Sequence, residues 1–284
     1  MDLDQLKTFL EVERMRNFRK AAENLSISPS AVSARIRQLE ETLGLSIFRR
    51  DRQKVSLTPA GERFARHARF IVSAWERAHE EIALGGQVDR RLVIGGLASL
   101  WEIYLQDWLN GIHCSAPLIG LRAEAGTSKR IVQKLEQGVI DLGFLFEPPQ
   151  LREMIVQEVR DVSMIMVSSE PDMPVERALA EGYVRVDWGT TFTSLHENHF
   201  PQRPIAAIRA NVGSIALRLI EHCGGSAYLP ASLVETDITS EKLWRVEDAP
   251  EIVLKSYAVF PMHGEHHVLI DQLLERFQVS EDAR

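Results

Sequence analysis

Apolar residues at Val32, Ile36, Leu39 and Leu43 recur at steps of four, three and four, and this spacing predicts a helix with one buried stripe. Ser28 is a good N-cap residue, Pro29 suits the first helical position, and Gly44 suits the stop. Just upstream, Phe18, Ala21, Ala22 and Leu25 mark the apolar face of a shorter helix opened by Asn17, with Ser26-Ile27-Ser28 as the turn between the two. Residues 2–14 read as a first helix facing inward through Leu3, Leu6, Phe9 and Leu10. Beyond Gly44, the apolar anchors Leu45, Ile47, Phe48, Val55 and Leu57 flank a polar run, the pattern of a hairpin. Two short helices, a tight turn and a hairpin predict a winged helix-turn-helix over residues 1–58.

Thr58-Pro59 then opens a long helix to about Leu84, with Phe64, Ala68, Ile71, Trp75, Ala78 and Ile82 spaced four, three, four, three, four. That narrow seam suggests pairing with a second copy of the chain. The other reading is a surface helix packed on its own chain. Gly85-Gly86 breaks the helix as a hinge, giving a linker over residues 59–88. From residue 89 to 284 strands alternate with helices. Strands are expected at 92–94, 118–125, 140–146, 154–160, 164–167, 183–187, 226–229 and 252–260. Helices are expected from Ser99 to Trp108, from a Thr127 cap to Gln137, at 214–222 and at about 265–277. Such alternation implies an α/β domain with a largely parallel sheet.

Chemistry sharpens the first segment. The face opposite the buried stripe carries Ser30, Ser33, Ala34 and Arg37, beside the cap Ser28. Small side chains let a helix approach another surface closely, and Arg37 can reach guanine or phosphate. Arg49, Arg50, Arg52 and Lys54 put positive charge in the hairpin, where phosphates or the minor groove of double-stranded DNA would lie. The net charge is −7, but residues 1–65 hold 12 Lys and Arg against 9 Asp and Glu, and the remainder 21 against 31. Only the first segment has the balance expected beside a polyanion.

Cys114 and Cys223 have no metal-binding spacing and are expected as free thiols, Cys223 in the core, which fits a reducing cytoplasm. No long apolar run suggests membrane insertion, and no basic-then-apolar leader opens the chain. His196-x-x-His199 and His263-x-x-His266-His267 lack further ligands, so they are expected to be surface or loop histidines, with no metal and no cofactor. No nucleophile elbow, phosphate-binding loop, zinc-protease motif or dinucleotide fingerprint stands in context, so no enzyme is expected.

Seven pieces, in order and spacing, carry a resemblance to the LysR-type transcriptional regulators: Leu6-Lys-Thr-Phe-Leu10, Phe18-Arg-Lys-Ala-Ala22, Ser30-Ala-Val-Ser33, Ile36-Arg-Gln-Leu-Glu40, Leu43-Gly-Leu45, Phe48-Arg-Arg50 and Leu57-Thr-Pro-Ala-Gly61. Pro29 departs from the Gln often found there, which removes one potential base contact, and Ala34 from a residue that is often long or polar, which confines base reading at Ala34 to a thymine methyl. The resemblance implies two α/β lobes like those of periplasmic binding proteins, with the chain crossing into the second lobe and returning. It also implies a homodimer or tetramer, contact with RNA polymerase and a small-molecule effector between the lobes. Ser99, Thr127 and Ser128 match positions that line effector pockets, and Trp188, Phe192 and Gly224 are candidates from the second lobe. Ala98-Ser-Leu-Trp101 and Asp187-Trp-Gly189 make the chain similar to a sub-branch that includes a regulator of the flagellar master operon. An architectural DNA-binding protein without effector sensing is the alternative function.

Overall fold

The computed structural model describes residues 1–50, 55–83, 90–149, 151, 153–202 and 205–279. The chain divides into two compact units, residues 1–90 with 133–139, and residues 91–132 with 140–284. Gly85-Gly86, expected as a hinge, lies outside the described residues, as do Arg52 and Lys54.

The first unit opens with α1 (Leu3–Met15), α2 (Phe18–Asn24) and α3 (Pro29–Leu43). Each start is chemically marked. Asp2 and Gln5 form a reciprocal capping box on α1, the Asn17 side chain accepts from the Arg19 and Lys20 amides, and Ser28 Oγ accepts from the Ala31 amide at 3.1 Å. Val32, Ile36 and Leu39 are fully buried against Leu6, Phe9, Val12 and Ala22. Arg35 reaches back from α3 to Asp4 at 2.7 Å and Thr8 at 3.3 Å, so it fastens α3 to α1. The wing is β1 (Phe48–Arg50) antiparallel to β2 (Val55–Leu57). Ile47 and Phe48 anchor it in the core, while Leu45, expected as a third anchor, is exposed.

The long helix α4 (Pro59–Ala83) starts at a crowded junction. Thr58 donates its hydroxyl to the Ser46 carbonyl at 2.8 Å and its amide to the Ile47 carbonyl at 3.0 Å. The Gly61 amide in turn donates to Thr58 Oγ1 at 3.0 Å. A Cβ on Gly61 would stand 2.2 Å from the Ile47 carbonyl oxygen, so a side chain cannot enter without moving the wing. The helix also corrects the seam expected from spacing. Ala68 is fully buried and Phe64 packs on Phe9 with ring centroids 5.2 Å apart, so both belong to this chain's own core. Ile71, Trp75, Ala78 and Ile82 are exposed.

The chain goes on through β3 (Arg90–Leu97), α5 (Ala98–Leu100), a π turn (Trp101–Leu105), α6 (Gln106–Ser115), β4 (Ile119–Gly126), α7 (Ser128–Glu136, divided between the two units at Gln133), β5 (Leu142–Leu145) and β6 (Met154–Ser168). It continues through α8 (Val175–Ala180), β7 (Val184–Val186), α9 (Thr190–His199), β8 (Ile208–Ala210), α10 (Gly213–Cys223) and β9 (Ser226–Pro230). It closes with α11 (Ala231–Thr239), β10 (Trp244–Arg245), β11 (Ile252–Pro261) and α12 (His267–Val279). The principal sheet runs β10-β6-β11-β5-β3-β4, with β9 also on β6, and β7 pairs with β8 separately.

The sheet is not largely parallel. β3 runs parallel to β5, but β6 is antiparallel to β9, β10 and β11, and β11 is antiparallel to β5. The two strands expected at 154–160 and 164–167 are parts of one 15-residue strand, Met154–Ser168. The polar Asp161 and Ser163 that suggest a break lie inside the β6–β11 ladder, paired with Lys255 and Val253. This pair crosses between two α/β lobes. Toward Met154 and Pro261 the ladder adjoins β5; toward Ser168 and Ile252, β6 adjoins β9 and β10. Between these ends the register slips, Ser256 facing Arg160 and Tyr257 facing Glu158, which leaves Val159 as the extra residue of a bulge. Ser256 Oγ donates to the Arg160 carbonyl at 2.8 Å and lies 3.1 Å from the Tyr104 hydroxyl that donates to it.

Two further expectations fail. Cys223 is exposed, because it ends α10 beyond its buried face, and Cys114 is exposed as well. His196 is fully buried rather than on the surface. Its Nδ1 faces Arg185 Nη1 at 2.8 Å and its Nε2 faces the Tyr183 hydroxyl at 2.8 Å. Arginine can only donate, so Nδ1 accepts and the proton sits on Nε2. Rings of Phe192, Phe200 and Tyr228 surround it within 5.6 Å. Burial, with Tyr183 nearby, also pushes the Tyr228 hydroxyl up from its ordinary pKa.

Candidate functional site

In the first unit, capping and burial together orient one face of α3 outward. With Val32, Ile36 and Leu39 committed to the core, Ser30, Ala34 and Arg37 are exposed and Ser33 is half-buried. Ser28 and Ser30 bring their hydroxyls within 2.9 Å of each other at the start of the helix. Glu40 joins this helix to the wing, its Oε1 accepting from the Ile47 amide at 2.8 Å and the Phe48 amide at 3.3 Å. Arg49 is exposed opposite Ser56, and Arg50 pairs with Val55. An exposed helix face with short residues around one arginine, beside a basic strand, is suited to a groove lined by phosphates.

In the second unit a cleft of about 440 Å³ opens between the lobes. Ser99, Thr127, Ser128 and Trp188 line it, together with Arg130, Glu147, Asp187 and Asn211. Phe192 and Gly224 are not brought to it. Phe192 is fully buried in the aromatic cluster around His196. Gly224 follows the C-terminus of α10, whereas the N-terminal end of that 11-residue helix borders the cleft, roughly 16 Å away at 1.5 Å per residue. Ser99 sits within α5 rather than capping it, since the N-cap is Leu97. Thr127 does act as a cap, its Oγ1 accepting from the Arg130 amide at 3.4 Å.

Glu147 and Glu102 are the residues that sequence reasoning missed. Glu147 follows β5 and bonds to the start of α9, its Oε1 accepting from Thr190 Oγ1 at 2.6 Å and the Thr191 amide at 2.8 Å. Gly189 makes this approach possible: its φ is +101°, and a Cβ there would stand 3.0 Å from Glu147 Oε1. Glu102 bonds in the same way to the start of α10, accepting from Ser214 Oγ at 2.7 Å and the Ser214 amide at 3.4 Å. Carboxylates from one lobe therefore cap two helices of the other, where the helix dipole favours negative charge. The one available sequence signal was position, since Glu147 lies just beyond the carboxyl end of a strand, where α/β folds bind ligands.

Burial alone would raise the Glu147 carboxyl, but hydrogen bonds from Thr190 and Thr191 outweigh it and hold it below the usual carboxylate range. A depressed folded-state pKa means its stabilising contribution is present above the unfolded value and is lost as pH falls through the folded one. Thermal unfolding of the native protein and Glu147→Gln is therefore expected to differ most near neutrality. The two should converge once acid passes below the ordinary glutamate range, and a gap that persists there would assign the effect to something other than charge.

Among the described residues no helix is long and apolar enough to cross a membrane, and no group of three or more His, Cys, Asp or Glu could hold a metal ion. The sequence matches the family described as "Bacterial regulatory helix-turn-helix protein, lysR family" over residues 3–62, and "LysR substrate binding domain" over residues 85–279. It is 33% identical over 292 residues to the "HTH-type transcriptional regulator HdfR" of Yersinia enterocolitica, covering 97% of this chain and 96% of that protein. Full-length CbnR complexed with its target DNA is similar in fold, with a TM-score of 0.68, 19% identity, and coverage of 98% of this chain and 100% of that one. Full-length LysG from Corynebacterium glutamicum with bound effector Arg has a TM-score of 0.61 and 19% identity, covering 99% of each chain.

Proposed function

The chain belongs to the LysR family of bacterial helix-turn-helix regulators, transcription factors rather than enzymes, and from that premise we propose that it reads specific operator DNA and answers to a small effector held in the cleft. The carrying observation is the outward face of α3: Ser30, Ala34 and Arg37 are exposed because Val32, Ile36 and Leu39 are fully buried. Ser28, Ser33, Arg49, Arg50, Arg52 and Lys54 complete this reading, the hydroxyls at the start of the helix and the basic residues against phosphate. Ser99, Thr127, Ser128 and Trp188 serve the effector, a role supported by the LysG relative described with bound arginine. Identity to HdfR supports placing the chain in that sub-branch, which on this reading includes a regulator of the flagellar master operon. The working form is a cytoplasmic homodimer or tetramer that contacts RNA polymerase, with ligand shifting the arrangement of subunits by its differential affinity for two states.

Capture of sheared genomic DNA near physiological salt, followed by footprinting, tests the reading. A few promoters with paired protected half-sites are expected. Uniform, salt-fragile recovery of all fragments would favour the architectural alternative. Arg37→Ala should cost about 1–3 kcal/mol at sites with guanine under the helix and little elsewhere. Arg49→Ala should weaken every sequence alike and reduce the salt slope by about one. Fluorescence anisotropy across a salt series separates the two, and unchanged binding in both variants would overturn the assignment of this face.

A further inference from the structure

Four helix N-termini border the cleft, those of α5, α7, α9 and α10, and they are not equivalent. Glu147 bonds to the start of α9 and Glu102 to the start of α10. At α7 the Ser128 and Lys129 amides meet no carboxylate among the described residues; Thr127 Oγ1 takes only the Arg130 amide. These unpaired N–H groups, with the Arg130 side chain in the first turn, favour an anion. An independent observation points to the same place. Ser99 is 8% exposed, it lines the cleft, and its hydroxyl bonds to none of the described residues. A hydroxyl with no protein partner, on a residue more than nine-tenths buried that lines the cleft, is suited to a ligand oxygen.

The other polar wall has the opposite sign. The Thr190 hydroxyl and the Thr191 amide both bond Glu147 through Oε1, and a carboxylate with two oxygens keeps acceptor capacity for a further donor. Asp187 Oδ1 accepts from the Gly189 amide at 3.2 Å, which likewise leaves Oδ2. A second anionic group on a ligand would meet these two carboxylates at unfavourable like charge, whereas an ammonium would meet two acceptors. Leu97, Phe146, Trp188 and Val212 supply apolar lining between the poles. About 440 Å³ is ample for a molecule of metabolite size.

We propose that the effector is a small zwitterion, an amino acid or close analogue, with its carboxylate against the start of α7 and Ser99 and its ammonium against Glu147 and Asp187. This rests on the cleft being the effector site. Charge separation of this kind rejects plain carboxylic acids and plain amines alike, because each leaves one polar wall desolvated without a partner.

The test is thermal shift and calorimetric titration of the full-length protein with each proteinogenic L-amino acid, its deaminated acid and its decarboxylated amine, all at millimolar concentration. At least one amino acid should stabilise the protein while its own acid and amine do not. Glu147→Gln and Asp187→Asn, each checked for folding by its ligand-free melting temperature, should weaken that amino acid about tenfold or more. An acid or amine that matches its amino acid would overturn the zwitterion, as would a panel in which no amino acid binds. Ala125→Trp, which fills the cleft from an exposed lining position, separates the two levels. If a simple acid binds and this variant abolishes it, the cleft stands and the zwitterion falls. If binding of any probe survives the variant, the cleft is not the site.

Discussion

Ile71→Glu combined with Trp75→Glu is expected to convert the protein to a monomer and to lower its apparent affinity for a two-half-site operator by about 10²–10⁴-fold. The two side chains are 39% and 56% exposed, continuing through Ala78 to Ile82 at 81%, so the stripe is apolar surface left uncovered among the described residues. Its spacing of four, three and four is that of a helix meeting a second helix along a seam. Charging exposed positions costs the fold little, so loss of pairing would not be confused with unfolding. Linking two recognition helices raises avidity without altering either contact, which is why the effect should vanish on a single half-site. Light scattering for mass, with titrations on one-half-site and two-half-site duplexes, reads both quantities. A variant that remains dimeric would place the pairing surface away from α4.

Gly61→Ala is the second large effect expected. The added methyl would stand 2.2 Å from the Ile47 carbonyl oxygen and 3.0 Å from Leu57 Cδ2. That carbonyl already accepts the Thr58 amide, and Gly61 donates to the Thr58 hydroxyl, so the junction of wing and α4 has no slack. Overpacking of this kind typically costs about 1–3 kcal/mol, and the backbone contact puts this site at the upper end. Hydrogen exchange should show the loss in residues 1–58, with the second unit unchanged, and operator binding should fall with it. Protection unaltered across the wing would mean the junction yields more readily than its geometry implies.

Gly61 was visible in the sequence as the last residue of Leu57-Thr-Pro-Ala-Gly61, but only the carbonyl above it gives the reason. The helix-turn-helix was the most legible part, because its caps and its 3.6-residue period are local. The seam of α4 was half legible. Phe64 and Ala68 repeat at the same interval as Ile71 and Trp75, and periodicity cannot distinguish packing on Phe9 of the same chain from packing on another copy. Of the cleft, Ser99, Thr127, Ser128 and Trp188 were found by resemblance, while Glu147 and Glu102 became recognisable only with Thr190 and Ser214 beside them. Positions 43 and 112 apart in the chain leave no periodic trace. His196 was misjudged for the same reason. Its partners Tyr183 and Arg185 stand beside and on β7, and a histidine in a polar helix gives no sign that both nitrogens are bonded.

The slipped register at Val159 bears on what the cleft can do mechanically. Sliding β6 along β11 would break every rung of their ladder at once, whereas bending strains only the point where the rungs already fail to match. A hinge at this slip would turn about one axis, with Ser256, Arg160 and Tyr104 beside it. A ligand that pulls on both walls would act on such a hinge as a torque.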